Sequence, residues 1–116
     1  MKTKIVNLCP HSIVLRTPEG EDVTISPSGT VARVSATPGA LEEAGDLPVP
    51  VAGVTVFGEV TDLPGPVPGT VYIVSGLVGS RVVDRNDVFV PGTGPRDGAI
   101  RDDNNRIVAV TRLNRV

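Results

Sequence analysis

Aromatic residues are scarce in this chain: two Phe, one Tyr and no Trp among 116 residues. Rings therefore cannot dominate the core, and aliphatic side chains must fill it. The single Cys9 excludes an internal disulfide, and with it the usual cystine-stapled secreted scaffold. His11 is the only histidine, so a zinc site lacks the three or four ligands it needs. No segment is apolar over the roughly 20 residues that a membrane-spanning helix requires. The start, MKTKIVNLCPH, has no apolar run of signal-peptide length. A cytoplasmic location is the expectation, with no membrane partner. The GxxxxGK[ST], GxGxxG and GxSxG patterns are all missing.

What the chain does have is valine: 21 Val against 7 Leu and 6 Ile. β-branched side chains fit a pleated surface and lose rotamer freedom in helices. Thirteen Gly and eleven Pro add frequent turns. The expectation is a mainly β fold, with α+β as the alternative: a small compact barrel or sandwich in one domain over 1–116. Residues 12–16 and 22–26 read as a hairpin around Pro18-Glu19-Gly20, and Thr30–Ser35 and Val54–Val60 as alternating strands. Gly58 marks a bulge in the latter. Pro38–Gly45 reads as a helical turn or an acidic loop. Thr70–Val74 is apolar enough to be buried on both faces. Ser75 is a fitting N-cap for a helix running to about Val83, with Val74, Leu77 and Val78 toward the core. Ala99–Arg101 and Arg106–Leu113 read as a final hairpin, Ile107 and Ala109 on one face and Val108 and Val110 on the other.

Charge is segregated. Residues 17–63 carry eight acids and only Arg33, whereas residues 81–116 carry seven Arg and five Asp. With a net charge of −2 and few aromatics, the chain is a poor general nucleic-acid binder. The segment from Tyr72 to Arg112 instead places arginines beside backbone donors, as a small anion requires. Ser75-Gly76 follows a buried strand and opens the expected helix. Arg81 and Arg85, four apart, would share a face if that helix continued, either paired with Asp84 and Asp87 or clamping a phosphate or carboxylate. Thr93-Gly94 sits in a loop whose hydroxyl and amides suit an anion nest, or make a plain turn. Arg33 either pairs with a nearby carboxylate or enters the site. His11 either fixes a turn after Pro10 or touches ligand. Cys9 and His11 together are weak evidence for catalysis, because no third group orients them.

Asn7-Leu8-Cys9-Pro10-His11, Tyr72-Ile73-Val74-Ser75, Arg85-Asn86-Asp87-Val88, Pro91-Gly92-Thr93-Gly94-Pro95 and Ile107-Val108-Ala109-Val110 resemble a family of small proteins of bacteriophages, prophages and their actinobacterial hosts. The usual opening there is N-L-T-P-H, with Thr where this chain has Cys9. A position that tolerates a hydroxyl argues further against a catalytic thiol. The resemblance spans nearly the whole chain and implies a host-cytoplasmic phage protein without specifying an activity. By analogy of class, it points to a non-catalytic homo-oligomer that holds a nucleotide-like anion and sequesters a host defence signal. The ligand-binding set is then His11, Arg33, Ser75, Gly76, Arg81, Arg85, Thr93 and Gly94, with no cofactor and no metal. The alternatives are a small hydrolase using His11 or an aspartate pair, and a virion or host-protein-binding component.

Overall fold

Four apolar or β-branched residues in a row, Thr70–Ile73 (β8), form the central strand of the protein. The computed structural model describes residues 3–116, so Lys2 of the basic N-terminal stretch lies outside the described residues. Lys4–Asn7 (β1) runs parallel to β8, and Val88–Pro91 (β9) runs parallel to it on the other side. Leu113–Arg115 (β12) closes the sheet antiparallel to β9, giving the order β1-β8-β9-β12. Parallel strands must be covered on both faces, and this sheet is. Tyr72, Val74 and Val88 pack on one side with Leu8, Ala32, Val78 and Val82. Ile73 packs on the other side with Ile13 and Val110. Ile73, Val74 and Val88 are wholly buried, each contributing about 1.5–3 kcal/mol of apolar transfer energy.

The first covering layer contains one helical turn, Gly76–Gly79 (α1). Ser75 caps it as expected, but it stops at Gly79 rather than near Val83. Gly76 and Gly79 within four residues give little helical propensity. Leu77 is therefore exposed rather than core-facing, while Val78 is buried. Gly79 lies against Val90 and Val116, so a Cβ there would clash. The second covering layer is the hairpin of Ile13–Arg16 (β2) and Asp22–Ile25 (β3), where a hairpin is expected, with Ile13 opposite Ile25 and Arg16 opposite Asp22. It bonds to the C-terminal region through Arg16 N–H to Val110 O and Val110 N–H to Val14 O. The result is mainly β and sandwich-like, with small sheets packed across a central one and no closed barrel among the described residues.

Arg33–Thr37 (β4) and Val56–Thr61 (β7) form a two-stranded ribbon. The bulge read at Gly58 is present: Gly58 and Glu59 stand opposite the single Ser35, and Gly58 packs on the Ser35 side chain. Beyond it, Leu41–Glu42 (β5) pairs with Val51–Ala52 (β6), so Pro38–Gly45 forms neither a helical turn nor an open loop. No residue from 35 to 59 is buried. The ribbon stretches the molecule to 60 × 38 × 23 Å with a radius of gyration of 17.6 Å, against roughly 13–14 Å for a compact domain of this length.

The C-terminal expectation needs correction. Ile107–Ala109 (β11) pairs with Ile100–Arg101 (β10), but the chain then leaves the hairpin and crosses to β9 as β12. Ala109 and Val110 are both buried and Ile107 and Val108 both exposed. The simple alternation fails because the register shifts between Ile100 and Arg101, and Val110 bridges to Leu15.

Asn7 is the buried polar residue that joins these layers, at 1% exposure. Its side-chain amide donates to His11 O at 2.8 Å and Ile25 O at 3.0 Å, and its carbonyl accepts from Cys9 N–H at 2.8 Å. Asn7→Ala removes the partner of three part-buried backbone groups, His11 O, Ile25 O and Cys9 N–H, at about 1 kcal/mol each. The expected loss is about 3 kcal/mol, a fall in Tm on the order of 10 °C by calorimetry. Asn7→Asp replaces two donors with acceptors facing carbonyls, which raises the new carboxyl's pKa. Its deficit relative to wild type shrinks as pH falls, because the protonated acid regains one donor.

Candidate functional site

A groove of about 500 Å³ opens between β4 and α1. Arg33, Ser35 and Thr61 line one wall, Ser75, Leu77 and Val78 the other, and Pro10 closes an end. The local reasons are separate. Ala32, just before β4, is buried, and alternation turns Arg33, the first residue of β4, outward. Ser75 follows the buried pair Ile73 and Val74, and so stands at the C-terminal end of the central strand. The Ser75 hydroxyl accepts from Val78 N–H at 3.4 Å, a long contact that leaves capacity for a second partner.

Arg33 is the lone base in an acidic stretch, where either a salt bridge or a place in the site is expected. Among the described residues it makes no salt bridge within 4 Å, although Glu59 and Asp62 lie on or beside the neighbouring strand. Its guanidinium is exposed with no hydrogen-bond partner among the described residues. Arg81 also faces this side: its guanidinium lies 4.2 Å from the centre of the Phe57 ring. Phe57 pairs with Ala36 on β4, three residues beyond Arg33, or about 10 Å along a strand. Arg81 and Arg85 do not share a helical face, because α1 ends before either. Gly76 follows Ser75 at the start of α1, and His11 follows Pro10 with an exposed side chain.

The remaining expected residues lie elsewhere. Arg85 grips Asp87 with both prongs, at 2.8 and 2.9 Å, and donates to Pro64 O at 2.9 Å. It fastens the Pro-rich connector 63–69 to the start of β9. The aspartate pairing weighed for it is the one present, and no face is left for a bidentate ligand. Thr93 lines a separate apolar groove with Ile13 and Val108. Gly94 N–H already has an anion: it donates to Asp97 Oδ2 at 2.9 Å. Asp97 also accepts from Asn114 at 3.0 Å and is ion-paired with Arg112. The loop that reads as a nest for a ligand thus holds its own carboxylate.

Cys9 is half-buried, its thiol facing Ile73 O at 3.9 Å, and burial pushes its pKa up. A raised pKa disfavours the thiolate that nucleophilic chemistry requires. Among the described residues the imidazole of His11 has no hydrogen-bond partner, and its backbone carbonyl accepts from the Asn7 side-chain amide. Among the described residues no three His, Cys, Asp or Glu side chains cluster as metal ligands, and no helix is long and apolar enough to cross a membrane. The reading of the sequence missed Phe57, Asp97 and the linking role of Asn7. A signal existed for Asn7, since Asn two residues before Cys9-Pro10 is a natural Asx-turn former. No family, curated protein or solved structure matches the chain.

The carboxyls of Asp97 and Asp87 sit below the usual range, held there chiefly by Gly94 N–H and by Arg85 respectively. Depressed folded-state pKa values contribute stability above the unfolded value of about 3.9, lost as pH falls through the folded values. Tm measured from pH 6 downward should therefore drop on the acid limb below about pH 4. Asp97→Asn should lower Tm at neutral pH and flatten that limb.

Proposed function

We propose that this protein is a non-catalytic, oligomeric binding protein of phage or prophage origin that holds a small, nucleotide-like anion in the β4–α1 groove. The observation that carries this reading is the unpaired Arg33 guanidinium on the wall facing the Ser75 hydroxyl. A free arginine beside an acidic ribbon is electrostatically at ease only if it stays solvated or meets an anion. The groove's size suits a nucleotide, since ligand pockets commonly measure about 300–1,000 Å³. Leu77 and Val78 supply apolar surface for a base or sugar. Arg81, stacked on Phe57, offers a second cation at the ribbon side. Ser75, Gly76 and His11 border the same end of the sheet, whereas Arg85, Thr93 and Gly94 act in the scaffold. Sequestration of a host defence signal follows as the role in an infected cell's cytoplasm.

A hydrolase finds less support. The Cys9 thiol is half-buried, and among the described residues no acid hydrogen-bonds His11. A protein-binding role has one observation in its favour, the exposed ribbon.

Isothermal titration with cyclic nucleotides and ADP-ribose nucleotides tests the reading. Binding of at least one is expected, weakened about tenfold (~1.4 kcal/mol) by Arg33→Ala and reduced by added salt. Arg85→Ala should lower Tm but leave the affinity of the folded protein nearly unchanged. Absence of binding across the panel, or equal affinity in Arg33→Ala, overturns the proposal.

A further inference from the structure

The ribbon of residues 35–59 is the least explained part of the fold. It presents large aliphatic side chains to solvent: Leu41 is 70% exposed, Val54 87% and Val56 66%, with Leu47, Val49 and Val51 also open. A two-stranded ribbon with no third strand is marginal in water on its own. Apolar area of this extent on an ordered element points to a missing partner.

Charge decides which partner. Residues 34–63 carry five acids, Glu42, Glu43, Asp46, Glu59 and Asp62, and no base. The rest of the chain carries eleven bases and eight acids, a net of +3. Arm against arm sets like charges together, while arm against body sets opposite ones. Pro38, Pro48 and Pro50 interrupt the ribbon's edges, so open-ended strand addition is disfavoured and contact must run through side chains.

The body offers a matching surface. An apolar groove of about 200 Å³ is lined by Ile13, Val14, Pro91, Ile107, Val108 and Val110. The β10–β11 hairpin that forms one wall carries Arg101 and Arg106, with Asp102 and Asp103 in the turn between them, all exposed; the Asp102 carboxylate is taken up by the turn, accepting from the amides of Asn104 and Arg106. The geometry points to reciprocal arm exchange: the acidic, valine-rich ribbon of one copy docks its aliphatic side chains on the β2–β11 groove of a second copy, beside Arg101 and Arg106. The exchange is self-complementary, as a two-fold interface requires. It deepens the oligomeric part of the proposed function, while the ligand groove between β4 and α1 lies on the other side of the central sheet and is read separately by nucleotide titration.

Light scattering on the full chain tests it at high micromolar concentration. The expected mass is a multiple of 12.0 kDa, falling toward one chain as salt is added. Val54→Asp with Val56→Asp should weaken association at least about tenfold. Both side chains are exposed in the protomer, so its circular dichroism should be unchanged. Glu42→Lys with Glu43→Lys should also weaken association, and adding Arg101→Glu with Arg106→Glu to the same chain should restore it. A wild-type monomer overturns the proposal. So does a multimer indifferent to the valine substitutions, or a charge reversal that the compensating pair does not rescue.

Discussion

The side chain of Asn7 holds the protein's layers in register. It sits at the end of an edge strand, where the first sheet would otherwise stop. Its amide reaches the carbonyls of His11 and Ile25, and its oxygen reaches the amide of Cys9. The backbone around it is used as fully: Leu8 N–H bonds Ile73 O, Ser28 N–H bonds Asn7 O, and Ala32 N–H bonds Leu8 O. Two residues thus join the central sheet, the β2–β3 hairpin and the base of the ribbon. A buried network with every member satisfied specifies one arrangement, because any other leaves orphan groups in a low dielectric. The groove inherits its shape from this junction. Pro10 forms its end because the Asn7 turn directs the chain there, and Arg33 stands one residue past the Ala32 amide that Leu8 holds.

The elements that the sequence made legible are those whose identity depends on local pattern. The Thr70–Val74 run could be nothing but a doubly buried strand, and the β2–β3 hairpin followed from alternation and a Gly turn. Gly58 marked a bulge because Gly in a strand leaves room for a neighbouring side chain, here Ser35. What failed to read was non-local. The helix after Ser75 was overestimated because capping promises a start, while the two glycines determine how soon it ends. Residues 106–113 look like one strand, yet Val110 is drawn inward by a bridge to Leu15, far away in sequence. β5 and β6 are too short for any periodicity to reveal.

The candidate site divides along the same line. Arginines and small-residue loops read from the sequence as an anion-oriented set of residue types. Sequence spacing does not say which of them the protein's own carboxylates consume. Arg85 and the Thr93-Gly94 loop are spoken for, by Asp87 and Asp97, each within three residues of the group it satisfies. Arg33, with no acid between Asp22 and Glu42 in sequence, pairs with none among the described residues. Proximity along the chain favoured an ion pair only where a turn brought both ends together, as at Arg85–Asp87. On the extended ribbon, successive side chains point apart.

The uneven charge of the chain therefore has two distinct structural meanings. In the body, arginines and aspartates interleave within a few residues and neutralise one another locally, which fixes loops. In the ribbon the acids have no counter-charge, and the aliphatic residues between them have no core. A stretch that neither buries its apolar side chains nor neutralises its charge gains little from folding alone. Its strand pairing is defined all the same, with regular pairing on either side of a bulge that shifts the register by one residue. Order without internal compensation is the property expected of a segment whose stabilising contacts lie on another molecule, and the surplus positive charge of the body makes a second copy of this chain the partner that fits.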